Sequence, residues 1–199
     1  MSTFRFAIMG AGNIAHQFCD AVTLVEDCEV SAIASKDLGR AQKFAEECSV
    51  AHAYDNYEQM LIEEKPDCVY IAVTPNDHFR LTMLCLEHRV PVLCEKAMFT
   101  NSAEAKAVFE KAEKDQTFVM EAMWSRFLPA VNQAKKWATE GKIGRLEALQ
   151  GRIGFLAPEG ADNRYHSPLL CGGAATDITV YAYEIATWLV NEPVRKTYA

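Results

Sequence analysis

The sequence has no apolar run of membrane-spanning length, and no charged stretch followed by a signal-length apolar segment near its start. Membrane-embedded and secreted classes are therefore set aside, and a soluble cytoplasmic protein is expected. Positive charge is also scarce: 20 Lys and Arg face 27 Asp and Glu, for a formal net charge of −7. That balance argues against nucleic acid or an anionic membrane surface as a partner. The seven cysteines include no C-x-x-C pair, and their odd number and wide spread speak for reduced thiols rather than a disulfide frame. The five histidines are dispersed, so no metal site is expected. Internal repeats and low-complexity tracts are lacking too. What remains is ordinary globular composition, 50% hydrophobic and 24% charged over 199 residues.

Short apolar runs at residues 4–9, 30–34, 68–73, 90–94 and 117–120 alternate with amphipathic stretches at 11–25, 38–48, 77–88 and 102–114. This alternation over residues 1–120 predicts an α/β fold, a parallel sheet with helices on both faces. Ligands of such sheets bind at the carboxyl ends of the strands. Residues 121–199 read differently. A helix is expected from Pro129 to about residue 140, then a Gly141-Lys142-Ile143-Gly144 turn, a long strand over 145–155, and a helix from Gly172-Gly173 to about residue 190. One strand cannot make a stable sheet alone, so this second region reads as incomplete.

Gly10-Ala11-Gly12-Asn13-Ile14-Ala15 follows the first apolar run directly. Strand, glycine turn and helix is the setting in which G-x-G-x-x-A binds a dinucleotide. Gly10 allows the tight turn, Gly12 lets a pyrophosphate approach, and the amides from Gly12 through Asn13 and Ile14 point at the phosphates. The second run ends in Ser35-Lys36-Asp37, with Arg40 one helical turn on. A hydroxyl and cations there suit the 2′-phosphate of NADP, whereas Asp37 suits the ribose of NAD. The other reading makes Ser35 a helix cap and Lys36 plain surface. Thr74-Pro75-Asn76-Asp77-His78 follows the 68–73 run at the same sheet edge. Thr74, Asn76 and His78 are cofactor-contact candidates, with Asn76 equally a helix cap and His78 equally a surface histidine. Glu95 and Lys96 end the 90–94 run. A partly desolvated lysine beside a cationic ring yields its proton more readily, which suits proton exchange with a substrate hydroxyl; an exposed Lys96 paired with Glu95 is the alternative. Asp177 and Tyr181 are four residues apart on one expected helix face, as a substrate-binding pair or with Tyr181 in the core. His166, in the preceding loop, is a weaker candidate.

Taken together, Gly10-Ala11-Gly12-Asn13-Ile14-Ala15, Thr74-Pro75-Asn76-Asp77-His78, Glu95-Lys96 and Gly172-Gly173…Asp177…Tyr181 resemble the glucose–fructose oxidoreductase/inositol dehydrogenase (Gfo/Idh/MocA) family. Within it, Glu121-Ala122-Met123-Trp124-Ser125-Arg126-Phe127-Leu128-Pro129 is most similar to the dihydrodiol dehydrogenase and NADP-dependent sugar dehydrogenase branch. The resemblance implies an N-terminal Rossmann domain, doubly wound, over residues 1–120. Residues 121–199 would be part of a C-terminal α/β domain for substrate binding and oligomerisation. It implies NADP, with NAD as the alternative, and reversible oxidation of a secondary alcohol on a small sugar or diol. A homo-oligomer is implied for the full-length form. By the same likeness Lys96 positions substrate and relays its proton, Tyr181 is the acid/base group, and Asp177 orients substrate. Trp124 and Arg126 would then line the domain junction near cofactor and substrate. Ala97 stands where the family commonly has proline, which unlike alanine readily permits a cis bond, and Cys171 changes the usual glycine-rich turn. The chain ends about where a second strand of the C-terminal sheet is expected, so a C-terminally truncated protein is implied, with specificity residing largely beyond it and in the loop 157–170. The alternative functions are an NAD-dependent cyclic-polyol dehydrogenase and a nucleotide-binding protein without turnover.

Overall fold

A computed structural model describes residues 3–160 and 163–198. The chain divides into two compact units, Met1–Ala122 and Met123–Ala199.

In the first unit β1 (Phe4–Met9), β2 (Cys28–Ala34), β3 (His52–Tyr54), β4 (Cys68–Ile71), β5 (Val92–Cys94) and β6 (Val119–Glu121) form one sheet in the order β3-β2-β1-β4-β5-β6. Every neighbouring pair is parallel. The connections are α1 (Asn13–Val22), α2 (Leu38–Cys48), α3 (Tyr57–Glu64), α4 (Pro75–Glu87) and α5 (Ser102–Asp115). Chain direction across the sheet reverses between β1 and β4, which opens a crevice beyond their carboxyl ends. This is the doubly wound Rossmann arrangement.

Two-residue periodicity sends alternate strand side chains to opposite faces. Ala7, Met9, Val69 and Ile71 pack on one face with Met60, Leu61, Leu81 and Val92. Ile8, Ile33 and Tyr70 pack on the other with Ala15, Cys19 and Phe44. Burying each large aliphatic side chain contributes about 1.5–3 kcal/mol, so both faces stabilise the sheet. β3 and α3 lie outside the expected pattern. A three-residue strand leaves little periodicity to read, but α3 carries a visible start signal: the Asn56 side chain accepts from the Glu58 and Gln59 amides at 2.9 and 3.0 Å.

The second unit contains a 3₁₀ turn (Trp124–Phe127), α6 (Pro129–Thr139), a 3₁₀ turn (Pro168–Leu170), α7 (Ala174–Asp177) and α8 (Thr179–Val190). Two expectations are corrected here. The long strand over 145–155 is not formed, and residues 146–160 carry no regular structure. All strands of the described residues belong to the first unit, so nothing pairs with this segment, and a lone strand has no ladder to hold it. The single helix after Gly172-Gly173 is instead two, broken at Ile178 (φ −119°, ψ −40°). Thr176, Ile178, Thr179 and Val180 crowd four β-branched side chains into the break. The Thr176 and Thr179 hydroxyls also donate back to the carbonyls of Cys171 (2.6 Å) and Ala174 (3.0 Å). Of the loop 157–170, residues 161 and 162 lie outside the described residues.

Candidate functional site

Gly10 closes β1 with φ +110°, and its amide donates to the Ala34 carbonyl at 2.8 Å. A Cβ there would stand 2.7 Å from the Ala72 oxygen, so only glycine fits. Gly12 is different. Its φ of −106° is open to any residue, and a Cβ would meet only the Ala72 oxygen at 3.9 Å. No protein atom requires glycine there, which leaves the space above the turn for a ligand. α1 starts with no side-chain cap and no acidic residue in its first turn, so its positive end is not neutralised from within the chain.

At the end of β2 the capping residue is settled. Asp37, not Ser35, caps α2: its Oδ1 accepts from the Arg40 amide at 2.7 Å. Ser35 is buried, and the Asp37 amide approaches its hydroxyl at 3.5 Å. Arg40 reaches back to the Ala11 carbonyl in the glycine turn at 3.2 Å. Lys36 lies at the surface, and its ammonium meets Asp77 Oδ2 at 2.5 Å.

Beyond β4, Thr74 rather than Asn76 takes the cap position of α4, with Pro75 at the first helical residue. His78 is not a surface histidine; it is wholly buried. Its Nε2 lies 3.0 Å from the Val73 carbonyl, and its Nδ1 lies 3.0 and 3.2 Å from those of Ala97 and Met98. Burial pushes its pKa below the ordinary 6.5, against the opposing pull of the three carbonyls. In this position His78 laces the loop after β4 to the loop after β5.

The loop after β5 carries Lys96, which is half-buried, so the fully exposed alternative does not hold. Glu95 points inward, where Tyr70 donates to its Oε1 at 2.6 Å and burial raises its pKa. The Lys96 amide approaches Glu95 Oε2 at 3.3 Å, and the Lys96–Ala97 peptide is cis although alanine follows. Glu121, at the end of β6, accepts from the Met98 amide at 2.8 Å.

In the second unit the Trp124 indole N–H donates to the Tyr181 hydroxyl oxygen at 2.8 Å, with the rings edge to face. Tyr181 and Asp177 are both buried, on either side of the helix break. Asp177 Oδ1 lies 3.5 Å from the Arg164 guanidinium. Arg126 pairs with the buried Glu184 of α8, which also accepts from Ser125 at 3.4 Å. His166 contacts the Pro158 carbonyl at 3.2 Å, away from these groups' bonds. Sequence reasoning did not single out Asp77 or Glu184. For Asp77 a signal existed: it occupies the first turn of a helix at the same sheet edge as Lys36.

Residues 4–123 match the family model described as "Oxidoreductase family, NAD-binding Rossmann fold", GFO_IDH_MocA, and residues 131–199 match the GFO/IDH/MocA C-terminal domain. The chain belongs to the Gfo/Idh/MocA oxidoreductase family. Trans-1,2-dihydrobenzene-1,2-diol dehydrogenase of Mus musculus is 32% identical over 190 residues, covering 93% of this chain and 56% of that protein. D-xylose 1-dehydrogenase (NADP(+)) 2 of Haloferax volcanii is 30% identical, covering 96% and 58%. This Gfo/Idh/MocA chain therefore spans little more than half the length of the curated relatives it matches. Among solved structures, an NAD-binding protein from Listeria innocua superposes with a TM-score of 0.84 at 22% identity, covering 96% of this chain and 56% of that one. That likeness concerns the fold. Among the described residues no helix is long and apolar enough to cross a membrane.

Proposed function

We propose that the chain serves an NADP-dependent dehydrogenase or reductase acting on the secondary alcohol or carbonyl of a small sugar or diol. The observation that carries this reading is the uncapped start of α1 behind Gly10, on the sheet edge that also bears Lys36, Arg40 and Lys96. The residues fit a dinucleotide because the turn leaves room over Gly12 and offers amides with no internal anion to satisfy them. The amides of Gly12, Asn13 and Ile14 hold the pyrophosphate. Ser35, Lys36 and Arg40 hold the 2′-phosphate, and Thr74 and Asn76 close the opposite side. The diol and xylose dehydrogenases named above support the substrate class, and the NADP of the latter supports the cofactor.

When bound, the nicotinamide supplies the hydride acceptor or donor. Lys96 and Tyr181 handle the proton. Lys96 would position substrate and exchange a proton with its hydroxyl, and Tyr181 would act as an acid/base group. Trp124 fixes the Tyr181 hydroxyl by donating to its oxygen, and Arg126, held on Glu184, supports the same turn. Asp177 orients substrate. A cytoplasmic location accords with the free thiols of Cys19, Cys28, Cys48, Cys68, Cys85 and Cys94.

Turnover of aldoses and vicinal diols with NADPH or NADP tests the reading. Lys96→Met is expected to lower kcat by about 10²–10⁴-fold while leaving cofactor affinity within twofold. Wild-type rates in Lys96→Met would remove Lys96 from the chemistry, and NADH bound more tightly than NADPH would remove the cofactor preference.

A further inference from the structure

Two loops flank the glycine turn. One follows β2 and carries Lys36; the other follows β4 and leads into α4 with Asp77 in its first turn. The Lys36–Asp77 ion pair joins them at 2.5 Å, between residues 41 positions apart in sequence. Asp77 is the more enclosed partner, its side chain 17% exposed against 66% for Lys36. Arg80 approaches the other carboxylate oxygen at 3.4 Å. Burial disfavours the Asp77 charge, yet the Lys36 hydrogen bond and charge, with those of Arg80, hold its carboxyl below the ordinary 3.8. It is thus an anion at neutral pH.

The carboxylate next to Lys36 in sequence is engaged elsewhere. Asp37 directs its oxygen at the Arg40 amide as the cap of α2. The negative charge that neutralises Lys36 therefore comes from the first turn of α4, beyond the carboxyl end of β4.

We infer that Asp77 is a further specificity-determining residue for the cofactor, weakening the 2′-phosphate form and favouring the 2′-hydroxyl form. The inference rests on the reading of Lys36 as the 2′-phosphate cation. A phosphate bound to Lys36 must share the ammonium with a fixed carboxylate of its own sign. A ribose 2′-hydroxyl carries no charge to repel and can donate to the same carboxylate, as it does to the acidic residue at the end of β2 in other dinucleotide sites. Asp77 thus tempers a preference that Lys36 and Arg40 alone would make stronger.

NADPH and NADH are titrated separately against the full chain and against Asp77→Asn and Lys36→Met. Asp77→Asn is expected to raise the NADPH-to-NADH affinity ratio about fivefold, within the range that partly exposed charges command. Lys36→Met is expected to lower NADPH affinity about tenfold and leave NADH within twofold. If Lys36→Met weakens NADPH but Asp77→Asn leaves the ratio unchanged or lowers it, the role of Asp77 is overturned and the Lys36 reading stands. If Lys36→Met leaves NADPH binding unchanged, the Lys36 reading falls and the Asp77 inference falls with it. Circular dichroism confirms that each variant is folded, and Asp77→Ser replaces Asp77→Asn should that variant fail to fold.

Discussion

β1 and the segment 145–155 both read as strands, yet one sits at the middle of a sheet and the other forms no strand at all. β1 lies between β2 and β4, paired on both sides, with Ala7, Ile8 and Met9 wholly buried. In 145–155, Leu149, Ile153 and Phe155 stay exposed, and Gly151 merely rests against Ala182 of α8. Strand character in a sequence is a statement about a surface that fits neighbours, and it yields structure only where neighbours exist. The same contrast holds for helices. α4 ends its loop with proline at the first helical position and runs unbroken for 13 residues, whereas the β-branched cluster around Ile178 splits its stretch in two.

The largest effect that would break this contrast is a cavity in the sheet. Ile71→Ala in β4 is expected to cost about 4 kcal/mol in denaturant unfolding, because Ile71 is wholly buried between packed neighbours. Gly10→Ala comes next. A methyl group 2.7 Å from a backbone oxygen at φ +110° is expected to cost about 3 kcal/mol and to abolish measurable dinucleotide binding. Leu156→Ser, at a side chain 97% exposed, is expected to change unfolding by less than about 0.5 kcal/mol. A loss comparable to that of Ile71→Ala would show that 146–160 is held by packing after all.

Much of the first unit was legible because its signals are local. Phe4–Met9 and Leu38–Cys48 have the bounds their apolar patterns indicate, and the glycine turn falls at the strand–helix junction it requires. What could not be read depends on where side chains go once the chain is folded. Asn76 reads as the cap in sequence, and only the backbone path after β4 gives that position to Thr74. His78 looks like any helix histidine until the loop after β5 closes over it. The partner of Lys36 lies 41 residues away, beyond any local pattern.

His78 gives a smaller, pH-dependent signature. Its folded pKa lies below the unfolded value of 6.5, so the unfolded chain takes up its proton first as pH falls. The corresponding stability is complete above about pH 6.5 and is lost as pH drops toward the folded pKa. Unfolding midpoints measured from pH 8 to pH 5 are expected to decline less steeply in His78→Gln than in the wild type. Equal slopes would mean that the three carbonyls offset burial.

Amide hydrogen exchange of the full chain, with and without NADPH, tests the central claim most directly. The first unit is expected to protect the β1, β4 and β5 amides strongly, with Asn13 and Ile14 gaining protection when NADPH is added, while residues 146–160 exchange rapidly in both conditions. Unchanged exchange at the start of α1 on addition of NADPH, or strong protection across 146–160, would contradict it.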